Sequence, residues 1–334
     1  TADPRVPNAV RCQLRYTPAA KSIIRTMLNR QDMRKTGKIA PRMGFVLSIL
    51  FLAACRAAAI SESTPEPLPP TPSVAASTPV GATLQPTKDG VVPTSVPTEE
   101  PRCLQMKGRI ERRYIESAEL PGQLYFSVYL PPCYNGSSSY PVLYLLHGIT
   151  YSDDQWIRLG AVETADAYIA AGLTPPFIMI FPYNPNPKRP PESHFGEALA
   201  GELLPYIDEH YATCGESSCR MIGGLSRGGG WAWDIFLDHP DLFSAVGGHS
   251  PALFQHVPSL LAHRLQGIWT GQRLWLDVGE QDMEVHFLAQ VDDALTQAGI
   301  DHRFTVSPGT HGEEYWQANI PDYLLWYFSV YSVP

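Results

Sequence analysis

The stretch Met221-Ile222-Gly223-Gly224-Leu225-Ser226-Arg227-Gly228-Gly229-Gly230 constrains this chain more than any other. A short apolar run leads into it and a helical pattern leaves it, so Ser226 falls at a strand–turn–helix junction with a glycine two residues to either side. A turn that tight leaves no room for side chains at Gly224 and Gly228, and it holds the intervening residue in a strained backbone conformation. The serine hydroxyl is thereby presented at a helix N-terminus, where a general base can activate it. An ordinary serine in a glycine-rich loop is the plainer alternative. A phosphate-binding loop would need Gly-x-x-x-x-Gly-Lys-Ser/Thr, which is missing here.

A serine so placed calls for an acid and then a histidine further along the chain. Leu274-Trp275-Leu276-Asp277-Val278-Gly279-Glu280-Gln281-Asp282 reads as an apolar strand ending in acids. Asp282 lies just past the strand, where a loop side chain can reach the carboxyl edge of a sheet, and is the expected acid. Asp277, inside the strand, and Glu280 stand in reserve. An aspartate capping the next helix is the competing use of Asp282. His311, in Val306-Ser307-Pro308-Gly309-Thr310-His311-Gly312, sits between glycines after the last strand candidate and is the expected base.

An oxyanion formed at such a serine needs backbone donors. The N–H of Arg227 is one. The N–H of Ile149 is the expected second, from the loop His147-Gly148-Ile149-Thr150 after an apolar strand, where Gly148 allows close backbone approach. His147 is expected to make a structural hydrogen bond. Trp156 and Trp316 are candidates for lining a substrate cleft, Trp231 and Trp233 are expected in the core, and 183–191, rich in Asn and Pro, is expected to form a rim loop.

Residues 103–334 alternate strand and helix signals. Strands are expected at 124–130, 141–146, 176–181, 219–223, 243–247, 274–278 and 304–306, and helices at 161–171, 196–210, 227–237, 284–298 and 313–329. Alternation of this kind, with near-continuous apolar strands such as Phe177-Ile178-Met179-Ile180-Phe181, implies an α/β fold: a mostly parallel sheet covered by helices on both faces.

With these residues in place, the region 109–327 resembles the esterase family of α/β-hydrolases that includes feruloyl and acetyl xylan esterases, esterase D-type S-formylglutathione hydrolase, enterochelin esterase and the antigen 85 mycolyltransferases. The resemblance rests on Tyr140-Pro141-Val142-Leu143-Tyr144-Leu145-Leu146-His147-Gly148 with Trp156 beyond, the 197–207 helix, Gly224 to Gly228, Gly279 to Asp282, and His311 followed by Trp316. It implies an α/β-hydrolase fold and a Ser226–Asp282–His311 triad acting on a carboxylic ester through an acyl-enzyme, with no cofactor. An acyltransferase on the same residues, or an inactive binding module, are the other outcomes that such a scaffold permits.

The 334 residues are 44% hydrophobic and 17% charged, which excludes a wholly disordered chain. Charge is split: residues 1–42 hold ten Lys or Arg against two acids, and the remainder carries a net −16. A basic arm for nucleic acid is the obvious inference, but the head runs into Met43-Gly44-Phe45-Val46-Leu47-Ser48-Ile49-Leu50-Phe51-Leu52-Ala53-Ala54-Cys55. That run is too short to span a bilayer comfortably, carries a positive flank, and ends in a sequence resembling the lipobox of bacterial lipoproteins. Residues 33–55 are therefore expected to be a lipoprotein signal with Cys55 lipidated, 1–32 an upstream or dispensable leader, and the body extracytoplasmic on a membrane anchor.

Residues 61–101 contain ten Pro, seven Thr and five Ser, so 56–102 reads as an extended tether that cannot bury enough surface to order itself. An exported body with Cys103, Cys133, Cys214 and Cys219 is expected to form disulfides, favouring Cys214 with Cys219 across a turn-like loop and Cys103 with Cys133. Metal-ligand spacing is missing from these cysteines, and no metal is expected.

Overall fold

The computed structural model describes residues 103–331. The leader, the lipobox at Cys55 and the tether lie outside the described residues. Eight strands form one sheet: β1 (Arg109–Ser117), β2 (Gly122–Leu130), β3 (Val142–Leu146), β4 (Ile178–Pro182), β5 (Arg220–Leu225), β6 (Ala245–His249), β7 (Arg273–Gly279) and β8 (Arg303–Ser307), in the order β1-β2-β4-β3-β5-β6-β7-β8. β1 pairs antiparallel with β2 and β2 antiparallel with β4, while every pairing from β4 across to β8 is parallel.

Both faces of this sheet are covered because the strand interiors are apolar on both sides. Along β3, Val142, Tyr144 and Leu146 enter one core and Leu143 and Leu145 the other. The first core packs under Phe195–Ala198 (α3), Leu204–His210 (α4), Arg227–Asp238 (α5), Pro258–Ile268 (α6) and Val285–Gln297 (α7). The second lies beneath Gln155–Arg158 (α1), Ala161–Ala170 (α2) and Glu313–Phe328 (α8).

Three elements escaped the sequence reading: β1, α6 and α1, the last a four-residue helical turn. β1 has the charged pattern Arg-Ile-Glu-Arg-Arg-Tyr-Ile-Glu-Ser and lies at the sheet edge without a fully buried residue, so it offered no apolar run. α6 starts at Pro258, an N-terminal helix signal, but buries only Leu261, Ala262 and Leu265. The helix expected at 196–210 is broken by a π-helical turn at Leu199–Leu203, and β6 both starts and ends two residues later than expected. Both disulfides have the expected pairing: Cys103–Cys133 with a Cα separation of 5.8 Å and Cys214–Cys219 with 6.2 Å.

One carboxyl sits poorly in this architecture. Burial within α5, with Asp238 nearby, pushes the Asp234 pKa up to about 6, above the value of about 3.9 for a free aspartate. The native state thus binds this proton more tightly than the unfolded chain. The resulting stabilisation is present at low pH and is lost as pH rises through 6. Asp234→Asn should raise the melting temperature relative to wild type above pH 6, and melting curves below pH 4 should converge.

Candidate active site

Ser226 occupies the turn between β5 and α5 at φ 52° and ψ −119°, a left-handed backbone that a serine adopts only when its surroundings enforce it. Glycine does the enforcing. A Cβ on Gly224 would lie 2.3 Å from the backbone carbon and oxygen of Gly228, and one on Gly228 would lie 2.3 Å from the Leu146 carbonyl oxygen. Gly229 and Gly230 are equally confined, against Pro251 and the Ala252 carbonyl. The Ser226 N–H donates to the His249 carbonyl at the end of β6 (3.0 Å), tying the turn to the next strand.

Three side chains far apart in sequence meet here. Ser226 Oγ lies 2.8 Å from His311 Nε2, and His311 Nδ1 lies 2.9 and 3.0 Å from the two carboxylate oxygens of Asp282. Their loops leave the carboxyl ends of β5, β7 and β8, the edge at which parallel sheets place ligands. The acid and histidine loops are fastened to each other, because Gln281 N–H donates to Gly309 O (3.0 Å) and Glu280 N–H to Ser307 O (2.9 Å). Burial works to raise the Asp282 pKa, but hydrogen bonds from His311 and the Glu284 N–H (2.9 Å) outweigh it and hold the carboxyl below its ordinary value. Asp282 therefore stays ionised as an acceptor, which fixes the proton of neutral His311 on Nδ1 and leaves Nε2 to accept from the serine hydroxyl.

Of the reserve acids, Glu280 is exposed and Asp277 faces elsewhere, bonded to His249 Nδ1 at 2.5 Å. Asp282 also accepts from the Glu284 N–H, but Glu284 is itself the N-cap residue of α7 and that helix has no side-chain cap, so the competing use of Asp282 as a helix cap is not realised.

The loop after β3 supplies the neighbouring backbone donors. Gly148 N–H is occupied by Gln155 Oε1 (2.8 Å), whereas the N–H groups of Ile149 and Arg227 meet no acceptor among the described residues. His147 has the structural role expected of it. Its Nε2 accepts from Asn184 N–H (2.9 Å) and its Nδ1 lies 2.7 Å from Gly148 O, so a neutral ring joins this loop to the loop after β4. Burial lowers the His147 pKa, in keeping with the neutral form. Gln155 was missed by sequence reasoning; a glutamine one residue before a tryptophan has no pattern that marks it as a brace.

The loop 183–191 does form a rim. Arg227 Nη2 donates to the carbonyls of Asn186 and Lys188 (2.8 Å for the latter), clamping the rim onto α5. A cavity of about 240 Å³ lies between Ile149, Thr150 and Tyr151 on one side, residues 183–187 on the other, and Arg227 at its base.

Trp156 and Trp316 are corrections to the sequence reading. They are 1% and 3% exposed and do not line the cleft. Trp156 Nε1 donates to Leu146 O (3.1 Å) beneath the site, and the Trp316 ring stands edge-on to His311 with centroids 5.3 Å apart. Both follow a site loop closely, but each opens a helix whose buried side faces the second core. Trp231 and Trp233 are core residues, as expected.

Residues 117–327 match the family model described as "Putative esterase". The chain belongs to that family, and its fold is the α/β-hydrolase fold. Among curated relatives, an endo-1,4-beta-xylanase/feruloyl esterase of Xylanibacter ruminicola is 32% identical over 134 residues, covering 36% of this chain and 18% of that protein. An uncharacterized protein of Corynebacterium glutamicum is 26% identical over 239 residues, covering 59% and 55% respectively. The chain thus spans 18% and 55% of the length of these two relatives.

Solved structures of like fold include a ferulic acid esterase (24% identity, 67% of this chain and 99% of that one, TM-score 0.62). Others are a mutant feruloyl esterase module from Clostridium thermocellum complexed with sinapinate (20%, 67% and 88%, 0.60) and an S-formylglutathione hydrolase from Agrobacterium tumefaciens (18%, 67% and 96%, 0.54).

The glycine contacts give a direct check on the turn. Gly228→Ala forces a methyl group into the Leu146 carbonyl, a clash of the kind that costs about 1–3 kcal/mol. Its unfolding midpoint should fall, and labelling of Ser226 by a fluorophosphonate should drop much further than the loss of folded protein accounts for.

Proposed function

We propose that the chain is a serine carboxylic-ester hydrolase in which Ser226, His311 and Asp282 form the catalytic triad. The observation that carries this reading is the position of one imidazole within hydrogen-bonding distance of both the serine hydroxyl, at 2.8 Å, and the buried carboxylate, at 2.9 Å. His311 takes the Ser226 proton as Oγ attacks the ester carbonyl carbon. The tetrahedral oxyanion accepts from the Arg227 and Ile149 N–H groups, each worth about 3 kcal/mol of transition-state stabilisation. His311, now an imidazolium held by Asp282, returns the proton to the departing alcohol and leaves an acyl-serine. Water activated by the same ring then releases the acid.

The cavity beside the two N–H donors offers room for one of the groups flanking the ester carbonyl. The likeness to feruloyl esterases supports esters of small aromatic acids, including those borne on polysaccharides, as the substrates to try first. The lipobox, the tether and two disulfides in the body support a place outside the cytoplasm on a lipid anchor at Cys55.

The test is turnover of p-nitrophenyl acetate and methyl ferulate by the full chain. Ser226→Ala should lower kcat by at least about 10⁴-fold, and a fluorophosphonate should label wild type at Ser226. Undiminished turnover by Ser226→Ala would exclude the mechanism, and products acylated on an added sugar acceptor would make the protein a transferase.

A further inference from the structure

Beneath the triad lies a second imidazole–carboxylate pair that the proposed mechanism does not use. His249, at the end of β6, is 0% exposed and Asp277, within β7, is 2% exposed. His249 Nδ1 lies 2.5 Å from Asp277 Oδ1, and Asp277 Oδ2 accepts from the hydroxyls of Tyr315 (2.8 Å) and Tyr323 (2.9 Å), both on α8. A third hydroxyl from the same helix, Tyr327, lies 3.1 Å from His249 Nε2, and the Tyr323 ring stacks on the imidazole with centroids 3.6 Å apart. With Nδ1–H donating to the carboxylate, Nε2 is left to accept from Tyr327.

The sheet makes room for this cluster. A Cβ on Gly223 of β5 would lie 1.8 Å from the Tyr327 hydroxyl oxygen, and one on Gly247 of β6 would lie 2.1 Å from it. Glycine in the middle of a strand weakens it. A polar cluster in low dielectric stabilises no better than apolar packing of the same volume. Stability alone is therefore a poor reason for two strand glycines and five buried polar side chains at the centre of the sheet.

Each member of the triad is joined to the cluster by a short rigid link. Ser226 N–H donates to the His249 carbonyl (3.0 Å). Asp277 shares β7 with the loop bearing Asp282, and its own carbonyl accepts from Ser250 N–H (2.7 Å), which fastens the turn after His249. His311 precedes Tyr315 by one turn of chain, and the Tyr315 ring underlies Gly309, where a Cβ would meet it at 2.5 Å.

We propose that His249, Asp277, Tyr315, Tyr323 and Tyr327 form a positioning network that sets the register of the three triad loops against one another. This rests on the reading of Ser226, His311 and Asp282 as the triad. A misplacement of about 1 Å at the reacting atoms can cost on the order of a hundredfold in rate, so loosening the network should act on kcat.

The test compares Tyr315→Phe and Tyr323→Phe, which delete one donor to Asp277 while keeping the ring, with His249→Asn and His249→Gln. The Asn amide nitrogen falls where Nδ1 stood and can still donate to Asp277, whereas that of Gln falls near Nε2. For each variant, kcat and KM for p-nitrophenyl acetate are measured per site titrated by fluorophosphonate, alongside the melting temperature. Expected results are kcat per titrated site lower by about ten- to a hundredfold in the Tyr→Phe variants with KM within about twofold, and His249→Asn more active than His249→Gln. Wild-type kcat per titrated site in the Tyr→Phe variants, with only the melting temperature lowered, would overturn the network. Wild type that fails to label at Ser226 while still hydrolysing the ester would instead remove the triad reading, and the positioning proposal with it.

Discussion

The contact between Gly224 and Gly228 across the turn at Ser226 is the constraint from which the rest of the site follows. It lets β5 reverse into α5 within a single residue, and that residue is driven to φ 52°. The strain is tolerable because the turn is gripped on several sides: by the Leu146 and His147 carbonyls packed against Gly228, by the His249 carbonyl that takes the Ser226 N–H, and by the Ser226 carbonyl that accepts from Gly230 and Ala252. A hydroxyl held this way has almost no freedom left to lose when an ester arrives. The helix beginning at Arg227 points its first N–H groups, with their partial positive charge, at the same spot.

Much of this was legible beforehand. The glycines around Ser226 announce the turn because no other residue fits, and a parallel sheet delivers the loops after its strands to one edge, where an acid and a histidine could be sought. The parallel strands β3, β4, β5 and β7 could be read because burial on both faces makes them near-continuous apolar runs. Less could be read where burial is incomplete or where a polar group is satisfied from afar. β1 lies at an edge with charges on it. Gln155 serves Gly148 and approaches Glu313 through contacts that only tertiary structure creates. Trp156 and Trp316 illustrate a different limit: nearness in sequence to a site loop says nothing of which way a ring turns, and both turn inward.

Asp277 shows why carboxylates within one segment are hard to assign from sequence. Asp277 and Asp282 are five residues apart in a single strand–loop segment, and each is bonded to a histidine. Position along β7 separates them. The side chain inside the strand faces the helix that covers the sheet, whereas the one beyond its end can bend over the carboxyl edge. Burial does not distinguish the two aspartates, since both are almost fully enclosed. What differs is the histidine, fully buried at 249 and reached by solvent at 311.

The rim has a property of its own. Arg227 holds it by the backbone carbonyls of Asn186 and Lys188, and His147 by the backbone N–H of Asn184. None of these bonds consults a side chain of the rim. Two of its own side chains shape the turn as well, because Asn184 Oδ1 accepts from the Asn186 N–H (3.2 Å) and Asn186 Oδ1 from the Lys188 N–H (3.0 Å), so it is the groups at the other rim positions that are free to vary. Such a loop can exchange one set of contacts for another over evolutionary time, or in a designed library, with the floor of the site undisturbed.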